Sequence, residues 1–271
     1  MCAVTRHLLL TVDDAATQLH ELGVRRGGVL LVHASMRSAG ADARSMARAL
    51  RTALGPGGTL VVPSFTPENS DTSRSYLDRV RGLGDEACAA LRAAMPPFDA
   101  ETSPAPAMGA LAETVRLTAG AVRSAHPQTS FAAVGPAAEK LLASHRQDCH
   151  LGEDSPLARL YESDAQVLLL GTGFDRCSAF HLAEYRLPAP LPRRAYRCVV
   201  APDGRRRWWE YEDVVLDDGD FAVLGDDFQQ EDRAGVIRSG TVGSASSRLF
   251  GIRAAVDFAQ GWLGRHRPAR R

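Results

Sequence analysis

Three short runs of mostly apolar residues constrain this chain more than any other feature: Val29-Leu30-Leu31-Val32, Thr59-Leu60-Val61-Val62 and Val167-Leu168-Leu169-Leu170. Each is too short for a helix and lacks the polar alternation of a half-solvated strand, so each reads as a strand buried on both faces. The segments around them have the other periodicity. Val12, Ala15, Ala16, Leu19 and Leu22 fall at helical spacing, with Thr11 or Asp13 near the start, and a second helix is expected over about 42–54. A succession of helix, strand, helix, strand argues for an α/β fold whose central sheet is mainly parallel and covered by helices on both faces.

The rest of the chain adds helices over 85–95, 108–118 and 136–144, a strand over 131–134, and a capped helix start at Ser155-Pro156-Leu157. Residues 67–81 are polar and without strong period, which predicts a long excursion over the active face. His126 precedes Pro127 and is therefore expected in an extended turn. Beyond Pro188 the pattern changes: 194–201 and 207–211 alternate around Asp203-Gly204, the signature of a hairpin, and predict a peripheral antiparallel ribbon. A last helix is expected over about 245–265. With 271 residues, 45% of them hydrophobic, the chain can bury one large core, and residues 1–271 are read as a single domain.

Several classes of function drop out. The formal net charge is zero, so general attraction to nucleic acid is not indicated. No window is long and apolar enough for a membrane span, and the opening MCAVTRHLLLTVDD has too short an apolar stretch for a signal peptide, so a soluble, cytoplasmic protein is expected. Cys2, Cys88, Cys149, Cys177 and Cys198 are scattered and form no CxxC pair, which suggests neither a disulfide framework nor a structural zinc site. Lys140 is the only lysine among the basic residues, a bias from which no function is drawn.

Chemistry is expected where the 167–170 strand surfaces at Gly171-Thr172-Gly173, because open α/β sheets bind ligands at the carboxyl ends of their strands. Ser178 can cap a new helix on which His181 and Glu184 lie three residues apart, on one face. Two readings follow: a pair that addresses a pocket, or a core histidine bonded to Glu184. His33 through Gly40 forms a small, polar strand-to-helix loop, a cradle for an anion or amide, but it is neither a GxGxxG fingerprint nor a P-loop. From Trp209 through Asp232 there is no Lys or Arg but many carboxylates, ordinarily a solvated face.

The order His33-Ala34-Ser35 through Gly40, Gly55-Pro56-Gly57-Gly58-Thr59-Leu60, Phe98-Asp99, Met108-Gly109-Ala110-Leu111, Arg123-Ser124-Ala125-His126-Pro127, Ser155-Pro156-Leu157, Leu168-Leu169-Leu170-Gly171 and His181-Leu182-Ala183-Glu184-Tyr185 resembles the aminoglycoside 3-N-acetyltransferase family. The resemblance covers almost the whole chain. It implies a three-layer α/β/α antibiotic acetyltransferase fold, unrelated to the GNAT acyltransferases. It also implies transfer of acetyl from acetyl-CoA to the 3-amine of a 2-deoxystreptamine antibiotic, conferring resistance. No metal is implied, and the protein is expected to be a monomer or homodimer.

On that resemblance His181 matches the catalytic histidine. An imidazole, with an ordinary pKa near 6.5, suits the removal of a proton from an ammonium group. Glu184 is the candidate to orient it, for direct attack of the amine on the thioester. Cofactor contacts are expected from His33, Ser35, Arg37, Ser38, Gly40, Met108, Arg123, Ser124 and His126. A polycation requires local carboxylates on a neutral protein, which nominates Asp71, Asp213, Asp217 and Asp218. Oxyanion donors are sought near Ser35 or Thr172. Rival readings are an acyl-cysteine route through Cys177, a metal site joining His181 and Glu184 to His126 or His33, and a non-catalytic binder of drug or coenzyme.

Overall fold

The computed structural model describes residues 10–188 and 190–267; Cys2 and the first nine residues of the opening segment lie outside them. In chain order the elements are α1 (Val12–Leu22), β1 (Val29–Ala34), α2 (Ala43–Leu54), β2 (Thr59–Pro63), α3 (Arg74–Val80), α4 (Asp85–Ala94), α5 (Gly109–Arg116), β3 (Val122–Arg123), β4 (Phe131–Val134), α6 (Ala138–Leu142), α7 (Pro156–Glu162), β5 (Gln166–Leu170), α8 (Phe180–Tyr185), β6 (Arg193–Val200), β7 (Arg207–Val214), α9 (Phe221–Gln230), β8 (Arg238–Val242), β9 (Ala245–Gly251) and α10 (Ile252–His266).

Seven strands form the central sheet in the order β3-β4-β2-β1-β5-β9-β8, and β6 and β7 pair as a separate antiparallel ribbon. Within the sheet, the β1–β2 and β1–β5 pairings are parallel. The outer pairings are all antiparallel, so the sheet is mixed rather than mainly parallel. The three apolar runs supply the parallel centre. Alternate residues of each strand enter opposite cores: Leu31, Val61, Val167 and Leu169 meet α7, α8, α9 and α10 on one face. Leu30, Val32, Leu60, Leu168 and Leu170 meet α1, α2 and α5 on the other. Two apolar faces are why these strands carry no polar alternation.

Local signals hold at the helix starts. Thr11 accepts the N–H of Asp14 at the head of α1, and Asp42 accepts those of Arg44 and Ser45 at the head of α2. Ser178 does not cap α8 with its side chain; its hydroxyl is 3.3 Å from His33 Nε2 instead. Residues 67–81 are more ordered than an excursion: Ser73 caps α3 by accepting the N–H of Tyr76. The last helix begins late, because 245–251 is strand β9. Leu249 lies opposite Leu168 and Ser247 opposite Leu170, so the open edge of β5 claims this segment before Ile252 starts α10. Among the described residues no helix is long and apolar enough to cross a membrane.

The ribbon is tied to the body at both ends. Phe98 donates its N–H to Val199 O, Ser70 donates its hydroxyl to Arg197 O, and Asp213 of β7 receives two bonds from His150. These bonds seat it beside the carboxyl ends of the parallel strands.

Candidate active site

In register, His33 faces Leu169 and Ala34 faces Leu170, so β1 and β5 end level and their following loops run side by side. Gly171 has φ +64°, and a Cβ there would sit 3.1 Å from Ser35 O, so the close approach of the two loops requires glycine. Together with the end of β2 and the segment 107–112 they enclose a cleft of about 990 Å³. A smaller hollow of about 460 Å³, by Arg26, Arg48 and Arg51, lies by the start of β2, at the opposite end of the parallel strands, with none of the candidate catalytic groups.

His181 lines the cleft from the first turn of α8. Its Nδ1 is 2.6 Å from Glu184 Oε2, and the two side chains are 14% and 2% exposed. A carboxylate accepts and cannot donate, so Nδ1 carries the proton and Nε2 is left as the lone pair. The other oxygen of Glu184 accepts the N–H of Asp217 at 3.0 Å and a bond from Arg267. Phe221 packs its ring 4.7 Å from the imidazole. The geometry therefore joins both sequence readings: the pair is internally bonded, and it faces a pocket.

His33, Ser35, Arg37 and Met108 line the same cleft. Burial, and then the charge of His181, push the His33 imidazole down to about 4, so it offers a neutral ring at pH 7 and no charge for a phosphate. Thr172 lines the cleft as well, beside Gly171 and Gly173. Ser38 and Gly40 brace rather than line it: the Ser38 carbonyl accepts the Ser244 hydroxyl at 2.8 Å, and Gly40, at φ +65°, leaves room for that same side chain.

Arg123, Ser124 and His126 are not part of the cleft lining; Ser124 and His126 are buried and Arg123 is partly buried. Arg123 donates to Ser130 Oγ, to Ser64 O and to Ser103 O, and its guanidinium stacks on Phe98. It is a clamp between the 99–106 loop and the end of β2, and burial, with Arg116 nearby, lowers its pKa to about 10. Ser124 is buried against His145, with Oγ 2.9 Å from Nδ1. His126 is fully buried, its Nδ1 accepting the N–H groups of Gln128 and Thr129; burial and the neighbouring His150 and His145 hold it well below the ordinary range. A His-Pro segment signals a turn in sequence, not whether the ring inside that turn is exposed.

The acidic candidates divide in the same way. Asp71 is buried and paired with Arg197. Asp213 is 2% exposed and accepts from His150 N–H, His150 Nδ1 and Tyr185 OH. Burial raises its pKa, and the bonds from His150 and Tyr185 more than reverse that, leaving it below the ordinary value. Neither carboxylate, both expected on the substrate side, is part of the cleft lining. Asp217 is exposed and caps Gly219, outside the cleft lining, while its backbone serves Glu184. Asp218 does line the cleft, near Arg74 at 3.2 Å. Phe221 and Arg267 were missed, and sequence carries no signal for them, because their link to α8 exists only through packing.

Cys177 is fully buried, and burial pushes its thiol up to about 12, which speaks against an acyl-cysteine route at neutral pH. His126 sits in a separate cluster with His145 and His150, at ring separations of 4.7 and 4.8 Å.

A family model described as aminoglycoside 3-N-acetyltransferase matches residues 31–264. An aminoglycoside N(3')-acetyltransferase-like protein, YokD, of Bacillus subtilis is 36% identical over 93% of this chain and 92% of its own. Aminoglycoside N(3)-acetyltransferase III of Serratia marcescens is 38% identical over 94% of this chain and 98% of its own. The crystal structure of YokD superposes with a TM-score of 0.86 at 33% identity, covering 95% of this chain and all of that one. Two further structures are similar: AAC-VIa bound to sisomicin, with TM-score 0.82, 29% identity and coverage of 96% and 100%, and AAC-IIIb with CoASH, with TM-score 0.81, 29% identity and coverage of 96% and 99%.

Proposed function

Since the chain belongs to the aminoglycoside 3-N-acetyltransferase family, we propose that it is an acyltransferase that moves acetyl from acetyl-CoA to the 3-amine of a 2-deoxystreptamine aminoglycoside and so protects its host from the drug. One observation carries the reading: the His181–Glu184 pair, locked by a 2.6 Å bond, presents its free imidazole nitrogen to the cleft at the carboxyl end of β5. We read the whole of 1–271 as one catalytic domain, in keeping with a family match over 31–264.

The mechanism uses direct attack. An antibiotic amine is mostly ammonium at neutral pH and cannot attack a thioester in that form. One proton of the ammonium passes to solvent; Nε2 of His181 accepts a second from the free amine as its nitrogen closes on the acetyl carbonyl, and Glu184 stabilises the imidazolium that results. The C–N bond forms, the C–S bond breaks, and the proton held by His181 leaves with the coenzyme thiol. Oxyanion stabilisation is assigned to the polar loop edges at Ser35 and Thr172, which line the cleft. Asp218, at the cleft wall, draws in the cationic drug.

Support for the two substrates comes from relatives: one similar structure holds CoASH and another sisomicin. The test is release of coenzyme A thiol from acetyl-CoA on addition of sisomicin, with the acetylated nitrogen located by NMR of the product. Turnover dependent on the drug, lost by about 10²-fold or more in His181→Asn while acetyl-CoA still binds, is the expected result. Thiol release without any need for an aminoglycoside, or His181→Asn within threefold of wild type, would overturn it.

A further inference from the structure

Glu184 does not hold His181 alone. Its Oε1, the oxygen turned away from the imidazole, takes the N–H of Asp217 and Nη1 of Arg267, 83 residues further along the chain. Arg267 lies just past the end of α10 and spends its whole guanidinium on this corner. Nε donates to Asp220 Oδ2 at 2.7 Å, and Nη2 donates to Asp220 Oδ1 and to the Asp217 carbonyl. Its planar face lies over Phe221, 5.9 Å from the centroid, and Phe221 in turn packs on His181. The arginine side chain is only 22% exposed and Glu184 only 2%, so the contact is little screened by water. Burial opposes the charge on Arg267, and its bonds to Asp220 and Glu184 outweigh burial and raise its pKa.

We propose that Arg267 is a positioning residue for acyl transfer. By occupying Oε1 of Glu184 it leaves Oε2 as the oxygen that receives the Nδ1 proton of His181. By gripping Asp217 and Asp220 it fixes the 217–220 loop that carries Asp218 at the cleft wall. One cation thus sets both the tautomer of the base and the place of a carboxylate that meets the drug. The proposal rests on His181 being the general base.

The sign of the effect follows from charge. Charged or titratable groups around His181 are Glu184 on its own helix, Arg267 after α10, Asp217, Asp218 and Asp220 from the loop, His33 from β1, His150 from the segment before α7, and Arg37, Asp175 and Arg176 along the same cleft. Removing the one cation nearest Glu184 makes a proton on the His181–Glu184 pair easier to keep. The acid limb of the rate profile must therefore move to higher pH, which a merely structural loss would not do.

The experiment compares wild type with Arg267→Gln and Arg267→Lys, with folding checked by circular dichroism. It reads kcat/KM for sisomicin against pH, the KM for acetyl-CoA, and the ¹⁵N shifts of the His181 ring, which report the tautomer without any turnover. For Arg267→Gln we expect kcat/KM to fall about tenfold or more at pH 7 and the acid limb to rise by roughly half to one pH unit. The ¹⁵N pattern should lose its single Nδ1–H form, with the acetyl-CoA KM within about threefold of wild type. Arg267→Lys keeps the charge but cannot bridge both carboxylates; its limb should stay near that of wild type while kcat/KM falls severalfold. An unmoved limb and an unchanged ¹⁵N pattern in a folded Arg267→Gln would overturn the proposal. Should that variant not fold, an Arg267→Lys with wild-type rate and ¹⁵N pattern would do the same. An active His181→Asn overturns the general-base reading and this proposal together, whereas an inactive one beside an unaltered Arg267→Gln overturns this proposal alone.

Discussion

A side chain as enclosed as His181 can exchange a proton through one edge only, and the bond to Glu184 decides which edge that is. Neighbouring residues that look equally chemical in sequence are fixed by other bonds. Cys177, four positions earlier, has its thiol held up at about 12 by burial, so Cys177→Ala should leave kcat within about threefold of wild type, with sequential kinetics; a large loss would revive an acyl-enzyme. Arg123 satisfies acceptors on Ser130, Ser103 and Ser64 at once. Arg123→Ala strands those acceptors, and urea denaturation should show a loss of about 1–3 kcal/mol, with the acetyl-CoA KM little moved. A raised KM at unchanged stability would return Arg123 to the cofactor.

At the scale of elements, the acidic run from β7 to α9 is three things. Asp213 faces inward and joins the ribbon to the body through His150 and Tyr185, Asp217 presents a backbone N–H to Glu184, and Asp218 faces the cleft. Asp218→Asn should weaken aminoglycoside binding by about 1 kcal/mol, less in high salt because the group is 47% exposed, and leave acetyl-CoA binding unchanged. Asp213→Asn removes a charge on which four donors converge and should lower stability by about 2–4 kcal/mol, read by thermal or urea melting, with drug affinity in the folded fraction intact. Equal effects of the two on drug affinity would restore the picture of one continuous acidic patch.

For the whole molecule, pH carries a clear sign. His33 and His145 are held down to about 4, in both cases first by burial, against an ordinary 6.5 in the unfolded chain. The unfolded state takes up protons there before the folded state does, so the stability these rings contribute is complete above about pH 6.5 and is lost progressively down to about 4. Each ring accounts for up to about 3 kcal/mol over that window. Melting temperature should fall steeply from pH 6.5 to 4, and replacing His145 with Gln should flatten the curve; a curve unaltered by that change would place the sensitivity elsewhere.

Sequence by itself determined the parts set by nearest neighbours. Apolar runs with two buried faces gave the parallel centre of the sheet, helical periodicity gave α1 and α2 with their caps, and Asp203-Gly204 gave the ribbon. It also placed His181 and Glu184 three apart on one face, because helix geometry fixes that distance wherever the helix lies. Tertiary structure decided what depends on partners far along the chain. The open edge of β5 drew 245–251 into a strand, the antiparallel return of β4 made the sheet mixed, and burial turned Ser124, His126, Asp71 and Asp213 inward. The reach of Arg267 to Glu184 belongs here too: a bond across 83 residues forms only once α10 has packed beside α8, and no local pattern encodes which carboxylate a guanidinium will find.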